Sequence, residues 1–560
     1  MLSGTSPALD AEARISYISS ARVLQSTKFT PQAAVYEGGE ALAEGGALPL
    51  LSREALGLFS QYAAIGTIYG TIPTLAYPIF NNYLKMEGYQ VASYNVLVTL
   101  GWSFKVFWGM CTDCMPIFGY RRKPWMLIGW AISMVSLAIM AASPLGDPYC
   151  FGNEAACAKP FAEATAEEKR FFNVAAPANG AKFIVLSMVT SIGYVMAACA
   201  SDAMVVQYAQ REPVAIRGRI QTAIYVVRTV AGIFTSLITA FGLNGKEYSG
   251  NFDFAMGPNV IYGILLFPCG CVCITTIFLV EDQKAPRVPF GLWARQFWDL
   301  LQMRVMWQVC AFRFINTTFL GIGVTATPTI QRAWAKVQPL NDSLSTIVGN
   351  LLFAGILVVV GKWGLDWNWR WTIALGTVAI VAIDSFVVMF TVWNVFRNEW
   401  FFTGVALSEQ VPSGIRFIVS TYCAVEIADA GNEGATYGLV TTVSNLATPF
   451  ASLLYKLIDS YFDVDNVAIQ RDDQPVRWAV THCYLISYGF KLASLGWLVL
   501  LPPQKAEMQA LKRLGGRSKC AGATLVVVFA LALVFSVTTN LLSIFPSTKC
   551  LRIAGGKGCP

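Results

Sequence analysis

Long apolar windows separated by short polar stretches run from about residue 55 to near the end of this 560-residue chain. A helix needs about 20 apolar residues to cross a bilayer. Windows of that kind fall at 56–80, 92–110, 124–142, 183–207, 220–241, 260–280, 306–327, 344–362, 371–393, 402–424, 434–457, 477–501 and 523–545. The pattern predicts an all-α integral membrane protein with twelve crossings and a thirteenth near the C-terminus. A longer connector, 281–304, splits the twelve into two groups of six. Within it Trp293, Phe297, Leu300 and Leu301 recur at helical spacing against Arg295, Gln296, Asp299 and Gln302. That spacing predicts an amphipathic helix on the membrane surface, with a partner-binding helix as the alternative. The chain therefore divides into a polar tail (1–54), a six-helix half (55–280), the connector (281–304), a second six-helix half (305–501), and a basic segment, further span and tail (502–560). The polar tail has no apolar signal-peptide core and reads as disordered and cytosolic.

Composition narrows the class. The chain is 55% hydrophobic and only 13% charged, against about 25% charged in soluble domains. Its Lys and Arg residues are unevenly placed. Alternate loops hold Arg121, Arg122 and Lys123; Arg211, Arg217 and Arg219; Lys284, Arg287, Arg295 and Arg304; Lys362 and Arg370; and Lys505, Lys512, Arg513, Arg517 and Lys519. Short cytoplasmic loops carry such an excess, so the N-terminus is expected inside. The net charge of +7 then reflects topology, and no nucleic-acid partner is expected. With no organellar signal evident, the plasma membrane is the expected location.

Enzyme chemistry finds little support. One histidine, His482, is present, which excludes a histidine relay and His-cluster metal chemistry. No G-x-S-x-G, H-E-x-x-H or Walker motif occurs, so hydrolase chemistry and ATP-driven transport within this chain are disfavoured. Cys111 and Cys114 form an isolated CxxC, short of the four ligands a structural zinc site needs. No metal and no cofactor are expected. Cys150 with Cys157, and Cys550 with Cys559, each share a loop or tail where disulfides are an open option.

The richest motif is Gly109-Met-Cys-Thr-Asp113-Cys-Met-Pro-Ile-Phe-Gly119-Tyr-Arg121-Arg122-Lys123-Pro124. A glycine at a helix end, an acid four residues on and a basic triplet can tie two helices together at one membrane face. A weaker copy follows the eighth window: Gly361, Asp366 and Arg370 recur in the same order. The fifth window opens at Gly218 and carries Arg228, and the eleventh opens at Gly434 and carries Asn445. Two six-helix halves related by a repeat are the major-facilitator architecture.

The block Trp102–Pro124 resembles the folate–biopterin transporter family. So do Ser201-Asp202-Ala203-Met204-Val205-Val206, the segment from Arg219 to Gly232, and Glu433-Gly434-Ala435-Thr436-Tyr437 through Ser444-Asn445. The likeness spans about residues 55–500. It departs at Cys423-Ala-Val-Glu426-Ile-Ala-Asp429, where the family has a proline-bearing segment, and the thirteenth span lies outside the shared core. The resemblance implies import of folates or pterins as small-molecule substrates. A major-facilitator transporter of another organic ion or metabolite is the alternative.

Charged residues inside apolar windows are costly and usually face a cavity or a partner. Lys105, Arg228, Arg313, Asp384 and Lys491 are the candidate substrate contacts, because cations suit the carboxylates of a folate tail. Asp384 or Asp202 could accept the paired N–H donors of a pterin, and Tyr62, Tyr69, Phe104 and Tyr225 could stack on its ring. Structural pairing, such as Asp384 with a nearby Arg, is the competing reading. Gly109, Asp113, Arg121, Arg122, Asp202, Glu433 and Asn445 are assigned to the gate motifs, with Asp202 expected to pair with Arg121 or Arg122. Proton coupling, if used, would fall to a buried carboxylate among Asp202, Asp384 and Glu433.

Overall fold

A computed structural model describes residues 46–559 apart from 158, 212–218, 283, 285–288, 364–366 and 428–432. The expected side-chain roles of Asp113 and Glu433 lie outside the described residues. The first crossing begins at α1 (Arg53–Thr71), where the Ser52 hydroxyl accepts from the Ala55 amide at 3.2 Å. Pro73 and Pro78 withhold amide donors, so the ladder changes pitch. A 3₁₀ turn (Pro73–Ala76) and a π-type turn (Tyr77–Tyr83) carry the chain onward. The second crossing is also broken. Its parts are α2 (Gly88–Leu97), a 3₁₀ stretch (Leu100–Phe104) and α3 (Lys105–Cys114).

Four longer helices follow: α4 (Lys123–Ala142), α5 (Ala176–Gln210), α6 (Arg219–Gly242) and α7 (Pro258–Phe278). The connector forms α8 (Phe290–Gln302), which buries Trp293, Leu300 and Leu301 and exposes Arg295 and Asp299. Next come α9 (Arg304–Leu320), α10 (Thr327–Ala333), α11 (Pro339–Trp363), α12 (Trp369–Val392), α13 (Glu399–Ile427), α14 (Glu433–Asp459), α15 (Asn466–Arg471) and α16 (Gln474–Ala493), the last extended by a 3₁₀ segment (Ser494–Leu500). The chain ends with α17 (Lys505–Leu514) and α18 (Lys519–Ile544).

Among the described residues, seven helical stretches are long and apolar enough to cross a membrane: α4, Ala176–Val205 of α5, Ala223–Gly242 of α6, α7, α12, Gln474–Leu500 and α18. The first two expected crossings are interrupted by irregular turns, and α13 and α14 contain Pro412 and Pro449. Large apolar side chains on the long helices point outward, including Phe234, Phe267, Leu375 and Trp371. An exposed apolar belt of this kind suits lipid rather than water.

The helices before and after α8 use matching partners. α1 packs on α6 and α9 on α14, while α4 packs on α5 and α7 and α12 on α13 and α16. The α1–α6 contact is unusually close. A Cβ on Gly66 would lie 2.1 Å from the Arg228 carbonyl oxygen, and one on Gly70 would lie 2.7 Å from the Cα of Gly232. Two backbones meet there because neither side has bulk.

Two ends of the molecule are chemically distinct. At the basic end, Asp282 accepts the backbone N–H groups of Arg122 and Lys123 at 2.8 and 3.0 Å, so a carboxylate sits on the N-terminus of α4. Lys123 Nζ donates to the carbonyls of Ile277 and Val280 at 2.7 and 3.2 Å, at the C-terminus of α7. The motif therefore joins the two helix ends, and among the described residues Asp282 is an acid that caps it. The other end carries both disulfides, Cys150–Cys157 and Cys550–Cys559.

The disulfide end is closed across the seam between the two helix sets. Asn81 Nδ2 donates to Pro328 O at 2.8 Å, and the Asn244 side-chain oxygen accepts from Leu340 N at 3.1 Å. Arg332 donates to the carbonyl of Asn81 and, at 2.9 Å, to Asn466 Oδ1. Glu87 accepts from the Asn466 amide at 2.9 Å. α18 also lies in the seam, packed on α2 and α5 from one side and on α14 and α9 from the other. The thirteenth apolar window is thus wedged between both sets rather than standing apart from them.

Candidate functional site

The break in the second crossing puts Trp102 at the centre of a cluster. Its ring lies 5.9 Å from Tyr69 and 6.0 Å from Tyr194, both edge-on, and its Nε1 donates to the Tyr194 hydroxyl at 3.1 Å. The Arg228 guanidinium sits 4.7 Å from the Tyr69 ring and 5.4 Å from the Trp102 ring. Lys105 Nζ approaches Trp102 at 5.6 Å and pairs with Asp202 Oδ2 at 2.6 Å. The Tyr62 hydroxyl donates to the other Asp202 oxygen, and Tyr62 meets Tyr225 edge-on at 6.4 Å. Four crossings contribute: α1, the broken second, α5 and α6.

The cluster is not sealed. Tyr69 and Tyr225 are 41% and 43% exposed, and the Lys105 and Asp202 side chains 16% and 29%. Charges at mid-helix with partly open faces fit a water-filled cavity far better than lipid.

The second helix set reaches the cluster through α14. Asn445 Nδ2 donates to the Trp102 carbonyl at 3.3 Å, and Ser103 Oγ donates to the Asn445 carbonyl at 3.2 Å. Within the 3₁₀ break the Trp102 carbonyl also accepts from the Lys105 N–H, and its second lone pair serves Asn445. One residue earlier on α14, Ser444 accepts from Arg313 Nε at 2.8 Å. Lys105, Arg228, Asp202, Arg313 and Asn445 therefore form one connected group. Lys491 and Asp384 form another, 3.6 Å apart on α16 and α12, with the Lys491 ammonium 5.6 Å from the Tyr488 ring.

Several expectations change. Asp202 does not pair with Arg121 or Arg122: its partners are Lys105 on the second crossing and Tyr62 on the first. Arg122 is buried, and one of its guanidinium nitrogens donates to Thr112 at 2.6 Å. Asp384 pairs with a lysine rather than an arginine. Gly109 is buried within α3. Phe104 faces Phe107 at 6.0 Å, outside the cluster. Among the described residues no group of His, Cys, Asp or Glu is arranged to hold a metal ion. Three contributors were not among the candidate site residues. Trp102 and Ser444 entered only as members of the family-like motifs, since neither carries a charge, and Asp282 lies beyond the basic triplet it caps.

Comparison with known proteins follows the same lines. The POT family transporter PepTSo superposes with a TM-score of 0.55, covering 84% of this chain and 100% of that one at 10% identity. A D-xylose-proton symporter gives 0.53, covering 80% and 97% at 13% identity. At these identities the likeness is one of fold. Residues 68–148 match the sequence model of the BT1 family. Over 444 residues the chain is 22% identical to a folate-biopterin transporter of Synechocystis sp. (strain ATCC 27184 / PCC 6803 / Kazusa), covering 75% of this chain and 78% of that protein. Over 188 residues it is 21% identical to the probable folate-biopterin transporter 4 of Arabidopsis thaliana, covering 34% and 30%.

Fold, apolar helices and matches together define a multi-pass integral membrane protein with the fold of the major-facilitator transporters. Within that fold class the chain is similar to folate–biopterin transporters, and the segment that matches the BT1 family model contains Trp102, Lys105 and the Gly109–Pro124 motif.

Proposed function

We propose that this chain is a secondary active transporter importing folate, pterins such as biopterin, or both, by alternating access driven by an ion or proton gradient. It crosses the membrane twelve times as two six-helix halves and a thirteenth time through α18. The basic end and the N-terminus face the cytosol, most simply at the plasma membrane. The observation that carries the reading is the Trp102 cluster. Aromatic faces, two cations and one carboxylate lie together at the seam. A pterin ring stacks on an aromatic face, and its amide and amino N–H groups suit the Asp202 carboxylate. The carboxylates of a folate tail suit Arg228, Lys105 and Arg313. The family relatives, named for folate and biopterin, support the same substrate class. The Asp202–Lys105–Tyr62 group, a carboxylate and an ammonium paired inside the crossings, is the arrangement that supports a coupling role.

The domain boundaries follow from the same reading: tail 1–54, halves 55–280 and 305–501, connector 281–304 and C-terminal element 502–560. Arg121, Arg122 and Asp282 brace the cytosolic ends of α4 and α7 as the half moves. Uptake into reconstituted vesicles, with folate, pteroate, biopterin and unrelated anions as competitors, tests the proposal. Folate and biopterin should compete, and unrelated anions should not. Arg228→Gln should weaken folate about 10- to 100-fold, the equivalent of about 1.5–3 kcal/mol for one charge-assisted contact, and biopterin much less. Equal losses for both would remove Arg228 from the substrate site.

A further inference from the structure

The closed disulfide end carries a second feature that the Trp102 cluster does not use. A cavity of about 640 Å³ opens above the seam, lined by residues from both helix sets. Its charged lining is Lys85, Lys246, Arg332, Lys336 and Arg397 against Glu247 and Asp472. Two of these cations already have carboxylates. Arg397 pairs with Asp472 at 2.5 Å, and Lys246 lies 3.6 Å from Asp253. Among the described residues, Lys85, Arg332 and Lys336 have no carboxylate within ion-pair distance. Arg332 spends its donors on neutral oxygens of Asn81 and Asn466. The Lys85 ammonium faces the Tyr149 ring at 5.0 Å.

Four non-glycine residues of the lining, Lys85, Lys336, Ser249 and Asp472, have left-handed backbone. Lys85 has φ 52° and Lys336 has φ 54°. Non-glycine residues in that region are uncommon, and they concentrate where a side chain is held for a purpose. Burial, with Arg332 close by, pushes the Lys85 amine down to about 7. A nearby anion would relieve both terms.

We propose that this vestibule is a binding site for a carboxylate-bearing organic anion, seated between Lys85 on one helix set and Arg332 and Lys336 on the other. The inference rests on the proposed function for its role: the vestibule would gather the anionic substrate at the closed gate, outside the Trp102 cluster. An anion held there also bridges the seam, because Arg332 already links Asn81 to Asn466. Release of Arg332 from Asn81 is then coupled to movement of the anion inward.

The test uses purified full-length protein in detergent, which makes it independent of orientation. Gln470 lines the cavity, so Gln470→Cys serves as reporter. Its modification by an anionic and by a cationic methanethiosulfonate is followed by peptide mass spectrometry. This separates it from the exposed native thiols of Cys271 and Cys520. The anionic reagent should be favoured about 10-fold or more, since focused charge raises encounter rates by 10–10³. High salt should erode that preference. Glutarate should slow the modification, and so should folate. Lys85→Gln with Lys336→Gln should abolish both preference and protection, while Lys85→Arg with Lys336→Arg should keep them. Absence of any preference, or of glutarate protection, in the otherwise native cavity overturns the site. Glutarate protection in a protein that moves no folate leaves the vestibule standing and defeats the transport reading. Folate uptake without protection does the reverse.

Discussion

Lys456 offers the sharpest test of how the C-terminal helix is built into this transporter. Its side chain is fully buried near the end of α14. The three ammonium hydrogens meet three oxygens: Ser93 Oγ at 2.9 Å, Asn540 Oδ1 at 2.8 Å and Ser543 Oγ at 3.0 Å. Ser93 lies on α2, and Asn540 and Ser543 lie on α18, so one lysine joins three helices. A hydrogen bond from a charged donor contributes about 1.5–3 kcal/mol, and leaving that donor unpartnered in an apolar seam costs at least as much. Neutral polar contacts between membrane helices average only about 0.6 kcal/mol, so the charge decides the size of the effect. Asn540→Leu is expected to destabilise the seam by about 1.5–3 kcal/mol, whereas Lys456→Met removes the charge along with its need for partners. The double variant Lys456→Met/Asn540→Leu should therefore lie well above the sum of the two losses. The assay is a heat challenge of detergent-solubilised protein tagged at the N-terminus, read by the surviving monodisperse fraction on size exclusion. Strict additivity, or Asn540→Leu behaving as wild type, refutes the reasoning. Truncation after Leu514 strips two of the three acceptors at once and should abolish the monodisperse species.

Three further outcomes are expected. Asp202→Asn and Lys105→Gln should each depress uptake by 10-fold or more, and their double-mutant cycle should show coupling of about 0.5–3 kcal/mol; independent effects would dissociate the pair. Asp282→Ala removes the acceptor on the first turn of α4 and should cost about 0.5–2 kcal/mol in thermal stability, with Asp282→Asn recovering part of it; an unchanged melting profile would reassign Asp282 to the surface. Anion protection of the vestibule should strengthen as pH falls from 8 to 6. Burial lowers the Lys85 amine to about 7 and raises the neighbouring Glu87 carboxyl to about 7. Acidification thus adds a positive charge on one and removes a negative charge from the other, while Arg332 stays cationic and Tyr149 neutral. Protection that weakens on acidification would contradict this electrostatic account.

What the sequence could reveal depended on the range of the physics involved. Hydrophobic windows reported α4, α5, α7 and α12 well, because uninterrupted apolar runs and bilayer thickness act locally along the chain. The connector helix was legible for the same reason: Trp293, Leu300 and Leu301 share a face by spacing alone. The broken crossings were less legible. Pro73 and Pro78 signal an interruption, but the 3₁₀ stretch at Leu100–Phe104 contains no proline, and its contacts with Asn445 and Tyr194 come from distant parts of the chain. Charge inside apolar windows drew attention to Lys105, Asp202, Arg228, Arg313 and Lys491, and the structure gathers them into two partly buried groups. Partners could not be assigned, since Asp202 is 97 positions from Lys105 and 140 from Tyr62. Lys456 escaped notice because it lies at a window edge, where a lysine ordinarily reaches solvent.

The changed position of Asp202 alters the mechanistic argument more than any other residue. As a gate acid it would bind Arg121 or Arg122 in one state and release them in the other, with no part in recognition. The observed pair with Lys105 places it instead beside Trp102 and Arg228, in the group that also reaches Arg313 through α14. Gate and site are then not separate machines. The backbone carbonyl of Trp102 is held by Asn445 from the opposite helix set, so the ring is oriented by the seam itself. In the proposed mechanism, a substrate stacked on that ring would feel any rocking of α14 against the second crossing. Conversely, a ligand that holds Trp102 and Arg228 together favours one relative position of the two helix sets over the other. Differential contact of this kind is what a ligand needs in order to shift a two-state equilibrium. Under the proposed function the 3₁₀ break would supply it, because it places the ring and the seam contact on a single residue.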